Sequence, residues 1–157
     1  MLDMDDLRIR ALGRDDAVPY DLLLSADPNR ALVDAYLKRG TTFVAETAEG
    51  KIIGVYVLIE TRPDTMELVN VAVADAYQGR GIGKRLVLHA IEAARSAGVK
   101  TLEVGTGSTG VTQLALYQKC GFRMVGIDRD FFVRHYDEPI YENGMQLFDM
   151  VRLAIDL

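Results

Sequence analysis

Apolar and charged residues alternate from Leu7 to Leu12, the period of a half-buried strand. A short helix is expected near Val18 to Ser25. Asp27-Pro28 reads as an N-cap followed by proline at the first helical position. The helix it opens carries Leu32, Val33, Tyr36 and Leu37 on one side and stops at Gly40. Thr41 to Thr47 and Lys51 to Glu60 are β-branched runs joined by a Glu49-Gly50 turn, a hairpin pattern. Arg62-Pro63-Asp64 turns the chain again, and Met66 to Ala74 completes the meander. A glycine-rich connection, Ala76 to Gly83, leads into a long helix over Gly81 to Ala97, whose stripe is Leu86, Val87, Ala90, Ile91 and Ala94. Thr101 to Val104 is a short strand, expected to run parallel to the one before it because a helix links them. After a polar loop, Gly105 to Gly110, comes a helix over Val111 to Cys120. Phe122 to Arg134 and Met145 to Leu157 read as two closing strands around the loop His135 to Gly144.

The order β-α-α-β-β-β-α-β-α-β-β describes an α/β fold. Its sheet is mixed and mostly antiparallel, with about seven strands and four helices. At 157 residues the chain fits a single domain spanning 1–157. Composition then narrows the chemistry. A formal net charge of −5 argues against a nucleic-acid or anionic-membrane partner and suits a cationic one. No apolar run approaches the ~18 residues of a membrane span. Met1 to Arg10, with three aspartates, does not read as a signal peptide. The single cysteine, Cys120, forms no intrachain disulfide. The two histidines, His89 and His135, share no ligand spacing with it, so no metal is expected. These features fit the cytoplasm.

The stretch Gln78-Gly79-Arg80-Gly81-Ile82-Gly83-Lys84 follows a strand and opens a helix. A helix N-terminus offers unpaired N–H groups and partial positive charge, and glycines let a phosphate approach them. Arg80, Lys84 and Arg85 add cations. The G-x-G-x-G spacing fits neither the dinucleotide fingerprint nor the P-loop. A strand-to-helix turn with no ligand is the plainer reading of the glycines alone.

Two motifs in register decide between these. Val71-Ala72-Val73 followed by Gln78-Gly79-Arg80-Gly81-Ile82-Gly83 and Leu86 resembles the acetyl-CoA signature of the GNAT acetyltransferases. Leu116-Tyr117-Gln118-Lys119-Cys120-Gly121-Phe122 resembles that superfamily's second signature. The tail, with Asp130-Phe131-Phe132, His135-Tyr136-Asp137-Glu138 and Glu142-Asn143-Gly144, resembles its bacterial YvbK-like subgroup. The resemblance implies a GNAT fold over nearly the whole chain and acetyl-CoA as cosubstrate. The backbone of Val71, Ala72 and Val73 would pair with the pantetheine arm. The amides of Gln78, Gly79, Arg80, Gly81, Ile82, Gly83 and Lys84 would hold the pyrophosphate. Many relatives carry an asparagine where Gly110 stands here, and Ser108 is the candidate to replace its contact to the cosubstrate.

Acetyl transfer to an amine sets further demands. An alkylammonium, with a pKa of about 10.4, must lose a proton before it attacks. The tetrahedral oxyanion needs a fixed donor, and the leaving thiolate accepts a proton. Tyr117, at the motif tyrosine, is the expected general acid and also a cosubstrate contact. Glu67, eleven positions before Gln78, is the expected base. Strand alternation would put it on one face with Val69, Val71 and Val73, and Asn70 on the other, where it would orient a water or the acceptor. The Val71 N–H is the expected oxyanion donor if a bulge splays the strands. His135, Tyr136, Asp137, Glu138 and Glu142 form an acidic, aromatic loop suited to an ammonium group. A solvated hairpin loop is the plainer alternative, and His135 is a second candidate base. The function expected is transfer of acetyl to a primary amine, on a small molecule or a peptide, by direct attack. The alternative is a noncatalytic acyl-CoA-binding sensor. A homodimer through the closing strands fits the same pattern.

Overall fold

The computed structural model describes residues 4–157. The reading of Met1 to Arg10 therefore falls, at residues 1–3, outside the described residues. The strands are β1 (Arg8–Ala11), β2 (Thr41–Glu46), β3 (Ile52–Arg62), β4 (Thr65–Val73), β5 (Thr101–Gly107), β6 (Arg123–Asp128), β7 (Tyr141–Glu142), β8 (Met145–Gln146) and β9 (Met150–Asp156). The helices are α1 (Tyr20–Ala26), α2 (Arg30–Arg39), α3 (Ile82–Ser96), α4 (Val111–Lys119) and the four-residue α5 (Phe131–Arg134). Seven strands form one sheet in the order β1-β2-β3-β4-β5-β9-β6, and β7-β8 is a separate hairpin. Only β4–β5 is parallel, as the α3 crossover requires.

Apolar side chains cover both faces of the sheet. On one face α3 buries Leu86, Val87, Ala90 and Ala94 against Tyr56, Leu68, Leu102 and Leu153. On the other, Leu23 of α1 with Val33 and Tyr36 of α2 pack on Val44, Val55, Val57 and Ala72. Arg85 reaches from α3 to the Met4 carbonyl at 2.7 Å, fastening the N-terminal segment.

The ladder between β4 and β5 ends early. It runs from Thr65↔Thr101 to Leu68↔Val104. Beyond it β4 stays on β3 as far as Val73, while β5 stays on β9 as far as Gly107. Beside that point the β3–β4 register slips, with Val57 opposite Asn70 and Leu58 opposite Leu68, so Val69 is an extra residue. This bulge corrects the expected alternation. Leu68 and Val71 share the α3 face, whereas Val69 and Ala72 pack with the α1–α2 core. Asn70 bonds to that same side and therefore does not oppose Val69.

Other expectations shift for local reasons. The helical cap is Asn29, whose side chain accepts from the Leu32 amide at 3.1 Å, so α2 starts at Arg30 rather than at Pro28. Asp27 is extended at the end of α1, in keeping with the restriction on residues before proline. The expected strand Phe122–Arg134 breaks at Asp130, which has φ 62° and whose amide donates to Asp149 at 2.9 Å. The chain then forms α5, a fifth helix. The expected strand from Met145 divides into β8 and β9.

Leu86 is fully buried and packs against the Cα side of Gly54. Leu86→Ala is expected to lower unfolding stability by about 2–5 kcal/mol in urea titration, with the m-value unchanged.

Candidate active site

The parted strands enclose a cavity of about 210 Å³. Leu68, Val69, Asn70 and Val71 of β4 form one wall, and Gly105, Thr106 and Gly107 of β5 form another. Gln113 and Tyr117 come from α4, Asp27 from the end of α1, Phe132 from α5, and Tyr136 and Glu142 from the following loop and hairpin. The amide of Ala74 donates to Ile53 at 2.8 Å, toward β3. Strand alternation then turns the backbone groups of Val71 and Val73 toward the parted edge. The Val73 carbonyl accepts from Gln78 Nε2 at 3.1 Å, and the same nitrogen bonds Asp75 at 3.2 Å, which fixes the strand end to the loop.

The first backbone bond of α3 is from Arg85 N to Gly81 O, at 3.1 Å. The amides of Ile82, Gly83 and Lys84 therefore precede the helical ladder and face outward from its positive end. Gly79 and Gly81 have φ 78° and 81°, and nothing lies within 4 Å of where their Cβ atoms would be. An anion can approach this turn unobstructed. These residues fit a pyrophosphate.

Tyr117 is 7% exposed and stacks edge-on against Phe122. Burial pushes its phenol up to about 12. It stays protonated at neutral pH while its ring lines the cavity. Asn70, 4% exposed, donates to Leu23 O at 3.0 Å and to the Tyr36 hydroxyl at 2.7 Å. Its Oδ1 is buried with no hydrogen-bond partner. Tyr36 OH reaches Asp27 Oδ2 at 3.4 Å, and Tyr136 OH donates to Asp27 Oδ1 at 2.8 Å. Burial, reinforced by the bond to Asp27, raises the Tyr136 phenol.

Glu67 is not among the residues lining this space. Its Oε2 lies 3.3 Å from Arg152 Nη1, and Arg152 also approaches Asp128 at 3.5 Å. Burial raises the Glu67 carboxyl despite the opposing pull of Arg152. Glu142 does line the cavity, with Oε1 accepting from Thr109 Oγ1 at 3.0 Å. A Cβ at Gly110 would lie 3.1 Å from the same Glu142 oxygen, so this carboxylate crowds the position where an asparagine was expected. Ser108 is exposed and lies outside the lining, its amide bonded to Asp149 O. His135 is exposed with its ring 4.6 Å from Phe131, and Asp137 and Glu138 line a neighbouring groove that shares Tyr136. His89 is away from the site, its Nδ1 2.7 Å from the Tyr56 hydroxyl. Burial raises the Cys120 thiol, and no group of metal-ligating side chains occurs among the described residues.

Residues 9–122 match the acetyltransferase (GNAT) family. The chain belongs to that family. It is 53% identical over 156 residues, 99% of its length and all of the relative's, to the uncharacterized N-acetyltransferase YvbK of Bacillus subtilis. A Bacillus subtilis acetyltransferase solved in complex with CoA superposes with a TM-score of 0.91 at 54% identity, over 96% of this chain and 99% of that one. A GNAT acetyltransferase from Elizabethkingia anophelis with acetyl-CoA bound gives 0.95 at 42%, covering 98% and 99%. The expected fold and cosubstrate are thereby borne out: this is an N-acetyltransferase that uses acetyl-CoA.

Sequence reasoning missed Asp27, Phe132 and Gln113. Asp27 carried a signal, a carboxylate beside proline, but that signal was equally that of a helix cap.

Gly81→Val would place a branched side chain on a left-handed backbone, at a local cost of about 1–2 kcal/mol, and would crowd the open turn. Acetyl-CoA affinity measured by calorimetry is expected to fall about tenfold or more.

Proposed function

We propose that this chain, acting as one GNAT domain over residues 1–157, acetylates a primary amine by direct attack on acetyl-CoA within a ternary complex. The supporting observation is that one cavity joins a buried, protonated Tyr117 to an acidic wall made by Asp27 and Glu142. The amine enters as an ammonium ion and gives up a proton. Its lone pair attacks the thioester carbonyl carbon. The Val71 N–H, turned to the parted edge beside the Val69 bulge, donates to the oxyanion. As the carbon–sulfur bond breaks, Tyr117 protonates the thiolate and is reprotonated from solvent. Val71 to Val73 hold the pantetheine arm, and Gly79 to Lys84 hold the pyrophosphate. Glu67 stands behind the wall and reaches the amine through water. Burial raises its carboxyl above the ordinary value, the direction a base requires. The exposed His135, Asp137 and Glu138 guide the cation inward from the neighbouring groove.

A homodimer belongs to the same reading. Strand β6 ends the sheet, all its residues are exposed, and Met124, Val125 and Ile127 are 52%, 62% and 62% accessible. An uncovered apolar edge of this kind favours pairing with a second copy. A cytoplasmic setting fits the single thiol, Cys120.

Tyr117→Phe is expected to lower kcat about 10²-fold with acetyl-CoA affinity unchanged. In the parent enzyme, kcat/KM should climb with pH toward the amine pKa of about 10.4, because Tyr117 keeps its proton over that range. Free-thiol release against a panel of amines measures both. Normal turnover by Tyr117→Phe would remove the acid assignment. Light scattering should find a dimer that Val125→Lys with Ile127→Lys converts to monomer, and a monomeric parent protein would refute the pairing.

A further inference from the structure

The cavity has an unusual charge inventory. Among the described residues Asp27 and Glu142 are the only charged ones lining it, and no lysine, arginine or histidine joins them. Neither forms an ion pair with the described residues. Asp27 accepts from Tyr136 OH, Tyr36 OH and the Asn29 amide, all of which are neutral donors. Glu142 accepts from the Thr109 hydroxyl, leaving most of its lone pairs unused. Two half-buried carboxylates on one wall, with no counter-ion beside them, attract a cation.

A second observation comes from the wall of the same space. Asn70 is 96% buried by its 4% exposure, lines the cavity, and leaves Oδ1 unpaired. Its amide nitrogen is committed to Leu23 O and Tyr36 OH, which fixes the oxygen's direction. A buried acceptor of this kind awaits a donor, and a neutral amine is a donor. The aromatic wall completes the set: Phe132 and Tyr136 stack with ring centroids 5.4 Å apart, beside the Asp27 carboxylate.

We propose that the acceptor is a short diamine, its two ammonium groups drawn in by Asp27 and Glu142 and its reacting nitrogen docked on Asn70 Oδ1. This rests on the acetyltransferase reading above and adds the substrate class. One ammonium loses a proton, its nitrogen forms the N–C bond and gives up a second proton to become an amide, and as the C–S bond breaks the leaving thiolate takes up one proton through Tyr117, so that one proton is released in all. The product keeps one positive charge against two carboxylates, so it is held less tightly than the substrate and leaves. A monoamine satisfies one carboxylate only, and an amino acid brings a third negative charge.

The test uses the CoA-saturated full chain and calorimetry with three four-carbon probes: diaminobutane, butylamine and aminobutanoate. Diaminobutane is expected to bind about tenfold or more tightly than butylamine, and aminobutanoate more weakly than either. Asp27→Asn and Glu142→Gln should each bring the diamine-to-monoamine ratio close to one. Melting temperatures of the unliganded variants report that they are folded. In labelled protein the Asn70 side-chain amide resonance should move on adding diaminobutane. Equal binding of the three probes, no binding of any, an unaltered ratio in both folded variants, or an unmoved Asn70 resonance would overturn the proposal. Free-thiol release is followed separately. Diamine bound without thiol release upholds the two-carboxylate diamine site and refutes transfer, whereas transfer to amines without diamine preference does the reverse.

Discussion

The site depends on one interruption, the end of the β4–β5 ladder at Leu68↔Val104. A parallel pair buried between helix layers ordinarily continues, because unpaired N–H and C=O groups inside a protein are costly. Here each strand keeps its outer partner, β3 or β9, and gives up the inner one. Backbone groups of Val71 are left facing the cavity, while the Val73 carbonyl turns to Gln78. On the proposed reading an extended ligand arm would supply the missing strand partner and gain its orientation from it. The bulge at Val69 sits at the fork and increases the local twist that drives the strands apart.

The fork needs bracing from the side, and a polar network provides it. Asn70 links β4 to α1 through Leu23 O and to α2 through Tyr36. Asp27 then joins Tyr36 to Tyr136, tying the α1–α2 corner to the segment after α5. Asn29 Nδ2 adds a bond to His135 O at 2.9 Å. Contacts 9 to 109 residues apart in sequence thus converge on one wall. The residues that shape the amine side are also those that hold it rigid, which is what a preorganised site requires.

Much of this fold was legible because its elements obey simple periods. The α3 stripe from Leu86 to Ala94, the β2–β3 turn at Gly50 and the glycine loop are local signals, and each stands where expected. The bulge was not legible. The apolar residues between Glu67 and Val73 suit either face of a sheet, so the sequence does not single out Val69 as supernumerary; the slip is set by pairing with Val57 and Leu58. That single shift reverses the faces assigned beyond it and separates Val71 from Val69. Helix α5 was hidden for a related reason. Phe131, Phe132 and Val133 have strand-like composition, and only the left-handed Asp130, held by Asp149 from a distant segment, turns them into a helical turn. Asp27 was misassigned because cap chemistry and ligand chemistry use the same carboxylate. Asn29, two residues on, took the cap and left Asp27 to the tyrosines.

The two ligand-facing regions carry opposite signs, and this bears on how a ternary complex assembles. Arg80 and Lys84 stand at the positive end of α3, whereas the cavity beside the fork is lined by Asp27 and Glu142. A phosphate-bearing molecule is attracted to the first and repelled by the second, and a cationic amine behaves the other way. In the proposed ternary complex this polarity would sort the substrates before contact is made and keep the diphosphate from neutralising the cavity's carboxylates. The interior between them is apolar and phenolic, with Leu68, Val71 and Tyr117 and no cation to trap a thiolate. On the proposed reading charge steers at the two ends, and Tyr117 brings a protonated phenol to the wall where the reacting bond would lie.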